Sequence, residues 1–170
     1  MVFQGQEQFL WIASSETIQR FDGRNVYKHA FPGNIAQAFC DNENRIWVLS
    51  QHKVWRSTND RWGFAEIPFD TLAGGRPCAI FQLKDQPPTI LSTKGFFTWE
   101  TDKAIFQAFP LPFPPAVSSI RSMQFDTFGT TIFYPVKKGY VAADLATGIF
   151  HTIPEPAEFF TFCALSPDDY

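Results

Sequence analysis

WVLSQHKVWRSTND, residues 47–60, is an apolar run, a short polar turn, a second apolar run and a second polar turn. That grammar belongs to a β-hairpin whose strands are buried, with turn formers marking each reversal. The same grammar returns as WIASSETIQRFDG from Trp11, ILSTKGFFTWETD from Ile90 and IFYPVKKGYVAADLATG from Ile132. A hairpin that recurs every roughly forty residues is an internal repeat, and a repeat of that period outranks local propensity in deciding a fold.

The flanks repeat too. After each hairpin comes a short aromatic strand: NVYKHAF at 25–31, WGFAEIPF at 62–69, AIFQAFPL at 104–111 and GIFHTIP at 148–154. Before three of them lies another, as IAQAFCDN from Ile35, CAIFQLKD from Cys78 and SIRSMQFD from Ser119. Four strands per unit, lettered A to D, predict an all-β chain folded as a small four-bladed β-propeller. The blade repeats lie near 9–41, 45–85, 88–126 and 130–165. No A strand is evident ahead of the first hairpin, where the chain reads GQEQ, whereas EFFTFCALSPDDY at the C-terminal end reads as an A strand with nothing after it. The expectation is that residues 158–165 pair into the first blade and close the ring, which hides two sheet edges.

Composition agrees with strands. The 170 residues are 45% hydrophobic and carry 20 Phe and 5 Trp, side chains that suit pleated surfaces. Thirteen Pro and ten Gly punctuate the chain too often for long helices. A net charge of −3 supplies no basic field for nucleic acid. No apolar stretch approaches the ~20 residues of a membrane-spanning helix, and MVFQGQEQ has neither the basic nor the apolar region of a secretory leader. Three cysteines, Cys40, Cys78 and Cys163, lack zinc-knuckle spacing; Cys40 and Cys163, each in an apolar run, read as buried thiols.

The chain has no phosphate-binding glycine loop, no GxSxG and no HExxH, so the reading is a non-enzymatic protein with no metal and no cofactor. Asp41-Asn42-Glu43-Asn44 alternates oxygen ligands as a calcium loop does, but it lacks the glycine and distal glutamate of one and reads as a turn. Trp11, Trp47, Trp55 and Trp99 fall within B and C strands and are assigned to the core. Trp62 opens a D strand at the rim, where an exposed aromatic can stack on a ligand or anchor a partner.

FLWIASSETIQRFDGRNVYKHAF and FCDNENRIWVLSQHKVWR resemble the two-component regulator propeller repeat. The matching residues are Trp11, Arg20, Phe21, Asp22 and Gly23 in the first unit and Asp41, Asn42 and Trp47 in the second. The Gly-Thr usual after that family's B strand is replaced by Ala13-Ser14 and Leu49-Ser50. The resemblance implies a propeller and a ligand-sensing role of the kind found in bacterial sensor ectodomains, hence a periplasmic or extracellular setting. A stand-alone interaction propeller of hemopexin-like size, masking a partner protein, is the alternative, and it would suit the cytoplasm.

In a propeller the D–A and B–C loops share one face and the A–B and C–D turns the other. The second face collects carboxylates such as Asp22, Asp41, Glu43, Glu100, Asp102 and Asp144. On the first face His52, Lys94 and Lys137 occupy corresponding B–C turns, Lys138 follows, and Arg76 lies in a long D–A loop. A local positive potential on an acidic protein attracts anions. These residues, with Trp62 at the rim, are the candidate binding residues for a small polar or anionic ligand, with Arg76 as a bidentate partner for a carboxylate.

Overall fold

The computed structural model describes residues 1–4, 9–58, 63–83, 86–109, 112, 124–125, 131–136 and 138–154. They form four antiparallel sheets of four strands each, every sheet built from consecutive strands. The first blade holds β1 (Val2–Gln4), β2 (Leu10–Ser14), β3 (Thr17–Phe21) and β4 (Val26–Ala30). The second holds β5 (Ile35–Cys40), β6 (Ile46–Ser50), β7 (Lys53–Ser57) and β8 (Phe64–Ile67). A single helical turn, α1 (Thr71–Gly74), lies in the loop to the third blade, made of β9 (Pro77–Phe81), β10 (Thr89–Ser92), β11 (Gly95–Glu100) and β12 (Ile105–Phe109). The fourth holds β13 (Gln124–Phe125), β14 (Thr131–Val136), β15 (Gly139–Asp144) and β16 (Ile149–Ile153).

One expectation is corrected at the N-terminus. Val2–Gln4 supplies the A strand of the first blade itself, in register Val2↔Ile12, Phe3↔Trp11 and Gln4↔Leu10. With β1 on one side and β3 on the other, β2 leaves no ladder position for another strand. The polar GQEQ hides a three-residue strand just before it, too short to show a period. Residues 158–165 lie outside the described residues.

The strands alternate sides, and both sides are apolar. Ile46 and Val48 pack with Trp11, Ala13, Ile18 and Phe31 at the seam between first and second blades. Their neighbours Trp47 and Leu49 pack with Ile80, Ile90 and Trp99 at the next seam. Leu91 and Phe96 meet Ile132, Tyr134, Val141 and Ala143 at the third. Every residue of β6 is therefore buried, which is why it reads as an unbroken apolar run instead of alternating. Of the four tryptophans assigned to the core, Trp11, Trp47 and Trp99 are buried, while Trp55 is half-buried against the first seam.

Two buried serines tie consecutive blades together. Ser50 and Ser92 each end a B strand, and their hydroxyls donate to the carbonyls of Gly33 and Gly74 in the loop arriving from the blade before. The Gln51 side chain lies directly over Gly33, so a Cβ there would require that exposed side chain to move aside. The serine that ends the B strand is thus a clasp between blades.

Removal of Trp47, which is fully buried, is expected to cost about 3–5 kcal/mol, a large share of a total of about 5–15 kcal/mol. Ser50→Ala, leaving the Gly33 carbonyl without its donor, is expected to cost about 1–3 kcal/mol. Urea unfolding of both variants measures these losses, and Trp47→Ala should be the larger.

Candidate functional site

Backbone hydrogen bonds bring three of the candidate binding residues to one seam, on the loop face between the second and third blades. Gln51 and His52 form the two-residue turn of the β6–β7 hairpin with φ of 48° and 62°, the left-handed pair that a type I′ turn requires. His52 Nδ1 lies 2.9 Å from the Pro77 carbonyl at the start of β9. A carbonyl only accepts, so Nδ1 carries a proton and Nε2 is the acceptor of the neutral ring. Next to it, the Arg76 N–H donates to Thr93 Oγ1 at 3.0 Å, and the Thr93 N–H donates back to the Arg76 carbonyl at 3.0 Å. The Lys94 N–H donates to Ser92 Oγ at 3.0 Å.

Gly75 makes this approach feasible. Its φ is +75°, and a Cβ there would fall on Thr93 Oγ1 and within 2.9 Å of Lys94 Cγ. The D–A loop therefore lies directly on the B–C turn of the third blade. The side chains of His52, Arg76 and Lys94 are exposed. Lys138, also exposed, sits in the corresponding turn of the fourth blade, ahead of Gly139. Lys137 and Trp62 lie outside the described residues.

The opposite face is organised by carboxylates acting as turn acceptors. Asp41 is buried, and Oδ1 accepts from the N–H groups of Glu43 and Arg45 at 3.0 and 2.7 Å. Its Oδ2 accepts from Arg45 Nε and Trp47 Nε1, both at 2.7 Å. With both oxygens engaged by four donors, this carboxylate shapes the A–B turn and is not presented to a cation. Asp22 and Asp144 play the same part in C–D turns, each accepting N–H groups two and three residues ahead.

Beside the Asp41 turn, Asn42, Glu43, Gln82, Gln86, Pro87, Pro88 and Thr101 line a cavity of about 250 Å³. Gln82 spans the seam there, accepting from the Asn42 N–H at 2.9 Å and donating to the Gln86 carbonyl at 2.9 Å. Sequence reasoning missed this groove. Its signal was the pair of amides in neighbouring A–B turns, which charge counting passes over.

No family model matches the chain, and no curated protein matches it in sequence. Solved structures do resemble it. Virginiamycin B lyase from Staphylococcus aureus superposes with a TM-score of 0.66 at 11% identity, covering 92% of this chain and 55% of the lyase. A streptogramin B lyase gives 0.64 at 15% identity, over 91% of this chain and 54% of the other. The extracellular domain of a protein assigned as a hybrid two-component system from B. thetaiotaomicron gives 0.60 at 14% identity, over 89% and 24%. The chain thus has the propeller fold, and it spans about half the length of the lyases and about a quarter of the sensor ectodomain.

Several titratable groups are shifted by burial or by hydrogen bonds. Cys40 and Cys78 are half-buried thiols, so Cys40 is less enclosed than its apolar flanks suggest, while Cys163 lies outside the described residues. Burial pushes the Cys78 thiol up, which keeps it protonated. His29 sits 4.9 Å from both Phe31 and Phe64, and burial holds it below its ordinary value of 6.5. The folded state favours the neutral ring, so the stability His29 contributes is complete above pH 6.5 and is lost as pH falls towards the folded value. Asp22, lowered by the N–H groups of Asn25 and Arg24, acts in a separate window that opens only below its ordinary 3.8. Melting temperature is therefore expected to fall as pH drops below 6.5 in the wild type, and His29→Gln should flatten that slope. An unchanged slope in the variant would assign the acid sensitivity to other groups.

Proposed function

We propose that this chain is a non-enzymatic binding module of the ligand-sensing kind, taking a small polar or anionic ligand at the loop-face seam between its second and third blades. The observation that carries the reading is the gathering of His52, Arg76 and Lys94 along one line of backbone contacts, from the Pro77 carbonyl to the Thr93 N–H. The Arg76 and Thr93 backbone groups hold the loop on the turn, and the His52, Arg76 and Lys94 residues are exposed. A guanidinium beside an ammonium suits a carboxylate or phosphate, with Arg76 engaging two oxygens at once. The fold likeness to sensor ectodomains supports the same reading. Lys138 in the fourth blade extends the candidate surface, and Lys137 and Trp62, candidates from the sequence, lie outside the described residues.

A lyase reading is favoured by the better superposition on the two lyases. One of the lyase structures holds quinupristin in a variant inactivated by a His-to-Ala change. In this chain His29 and His151 lie in the outer strands β4 and β16 of the first and fourth blades, and His52 lies in a turn of the second. Among the described residues no three His, Cys, Asp or Glu side chains group at metal-binding distance.

Calorimetric titration with citrate and with inorganic phosphate, each at low and high salt, tests the binding reading. Saturable binding that weakens with salt is expected, and the double variant Arg76→Glu with Lys94→Glu should abolish it while leaving the circular dichroism spectrum unchanged. Binding that survives the double variant would move the site elsewhere. Quinupristin incubated with the protein should be recovered intact by chromatography, and its conversion would establish the enzyme reading instead.

A further inference from the structure

We propose that the groove between the A–B turns of the second and third blades binds a primary ammonium on an alkyl stem, of which the lysine side chain of a peptide is one bearer. This is a second site, on the face opposite the His52, Arg76 and Lys94 seam and of opposite charge preference. The cavity encloses about 250 Å³, less than the roughly 300–1,000 Å³ of sites for drug-sized ligands. It suits a group the size of one side chain.

The groove offers acceptor oxygens that the fold does not use. Asp41 commits both carboxylate oxygens to its own turn, but Glu43, the one charged residue among those described in the lining, does not. Glu43 Oε2 meets Arg45 Nη1 at 2.6 Å, and Oε1 has no partner among the described residues. The Thr101 hydroxyl and the Gln86 side-chain amide also have none among the described residues. Gln82 Oε1 accepts one N–H, from Asn42, and a carbonyl oxygen has a second lone pair. An ammonium brings three donors and no acceptor, so it matches a lining of oxygens with one carboxylate. An anion finds no cationic side chain among the described lining residues.

The walls are held by main-chain bonds. The Gln86 N–H donates to the Leu83 carbonyl and the Trp99 N–H to the Pro88 carbonyl, both at 2.8 Å. Gln82 joins the two blades by accepting from the Asn42 N–H and donating to the Gln86 carbonyl. Pro87 and the buried Pro88 add rigid apolar surface, against which an alkyl stem can lie while its charged head reaches polar groups. The surrounding turns keep an acidic balance. Asp41, Glu43, Glu100 and Asp102 stand against Arg45 and Lys103, a balance of −2, and Lys84 and Asp85, outside the described residues, cancel in charge. Such a field favours a cation over an anion.

Nitrogen-edited NMR of the full chain, titrated with Nα-acetyl-lysine amide, tests the site. Saturable shifts are expected at the amides of Asn42, Glu43, Gln86 and Thr101. The same compound acetylated on its ε-nitrogen should bind at least about tenfold more weakly, since the charged donor is lost. Glu43→Gln should weaken lysine-amide binding by about tenfold and Thr101→Val by less, with circular dichroism unchanged in both. Butylamine, run beside it, separates the two sources: equal affinity assigns the groove to a free amine, and weaker affinity to lysine within a chain. Absence of saturable shifts at those four amides overturns the proposal. So does equal binding of the ε-acetylated compound, or a folded Glu43→Gln variant that binds the lysine amide as tightly as the wild type.

Discussion

A propeller blade is apolar on both faces, and everything else in this molecule answers to that constraint. A sheet in a two-layer domain hides one side and solvates the other, but β6 leaves no residue exposed. Such a sheet is insoluble alone and is satisfied only between two others. The seams meet the demand with large side chains that interlock edge to face. Trp47 stands at 5.2 Å and 71° to Trp99 and at 5.8 Å and 69° to Phe106. Arg56 lies over both tryptophans, at 5.7 and 5.1 Å from their ring centres. Burial holds this guanidinium somewhat below its ordinary value, with the Arg45 charge adding to the effect. It remains the charged partner of two π faces.

The Asp41 carboxylate links that apolar demand to the turns. A buried tryptophan brings an indole N–H that needs an acceptor, and Asp41 supplies it to Trp47 while holding the A–B turn with its other bonds. One residue thus fixes a loop and satisfies a core side chain. Removing its charge would leave several buried donors without acceptors, a costlier defect than losing any one of those bonds. The acidity of this face is in part a by-product of turn chemistry, since Asp22 and Asp144 are also engaged by backbone N–H groups.

How much of this was legible follows from the same physics. Hairpins announce themselves through paired apolar runs and two-residue turns, so β2–β3, β6–β7, β10–β11 and β14–β15 were readable from the repeat alone. The tryptophans assigned to seams are there, with Trp55 only half enclosed. β1 was not readable, because three residues beside a polar tetrad show no periodicity and gain their structure from pairing with β2. The clasp of Ser50 looked like a departure from the resembled repeat and that of Ser92 left no mark in the sequence, since their partners sit 17 and 18 residues upstream. At the candidate site, the sequence placed His52, Arg76 and Lys94 on one face, but their convergence depends on Gly75 lying against Thr93 and Lys94. The groove between Asn42 and Gln82 was missed because neutral amides leave no mark on a charge map.

At the seam between second and third blades, where the proposed site lies, main-chain bonds supply much of the scaffold. The Arg76 N–H and carbonyl bond Thr93, the Lys94 N–H bonds Ser92, and the His52 ring reaches a main-chain carbonyl. Substitution of the two cationic side chains leaves those bonds available, so such a site can change its preference without unfolding its support. The first seam offers no such freedom: there Trp11, Ile18 and Phe31 are themselves the support. A repeat protein in which most positions are fixed by stacking is thus left with its loop-face seams as the surfaces on which chemistry can vary, and at this one His52, Arg76 and Lys94 are exposed.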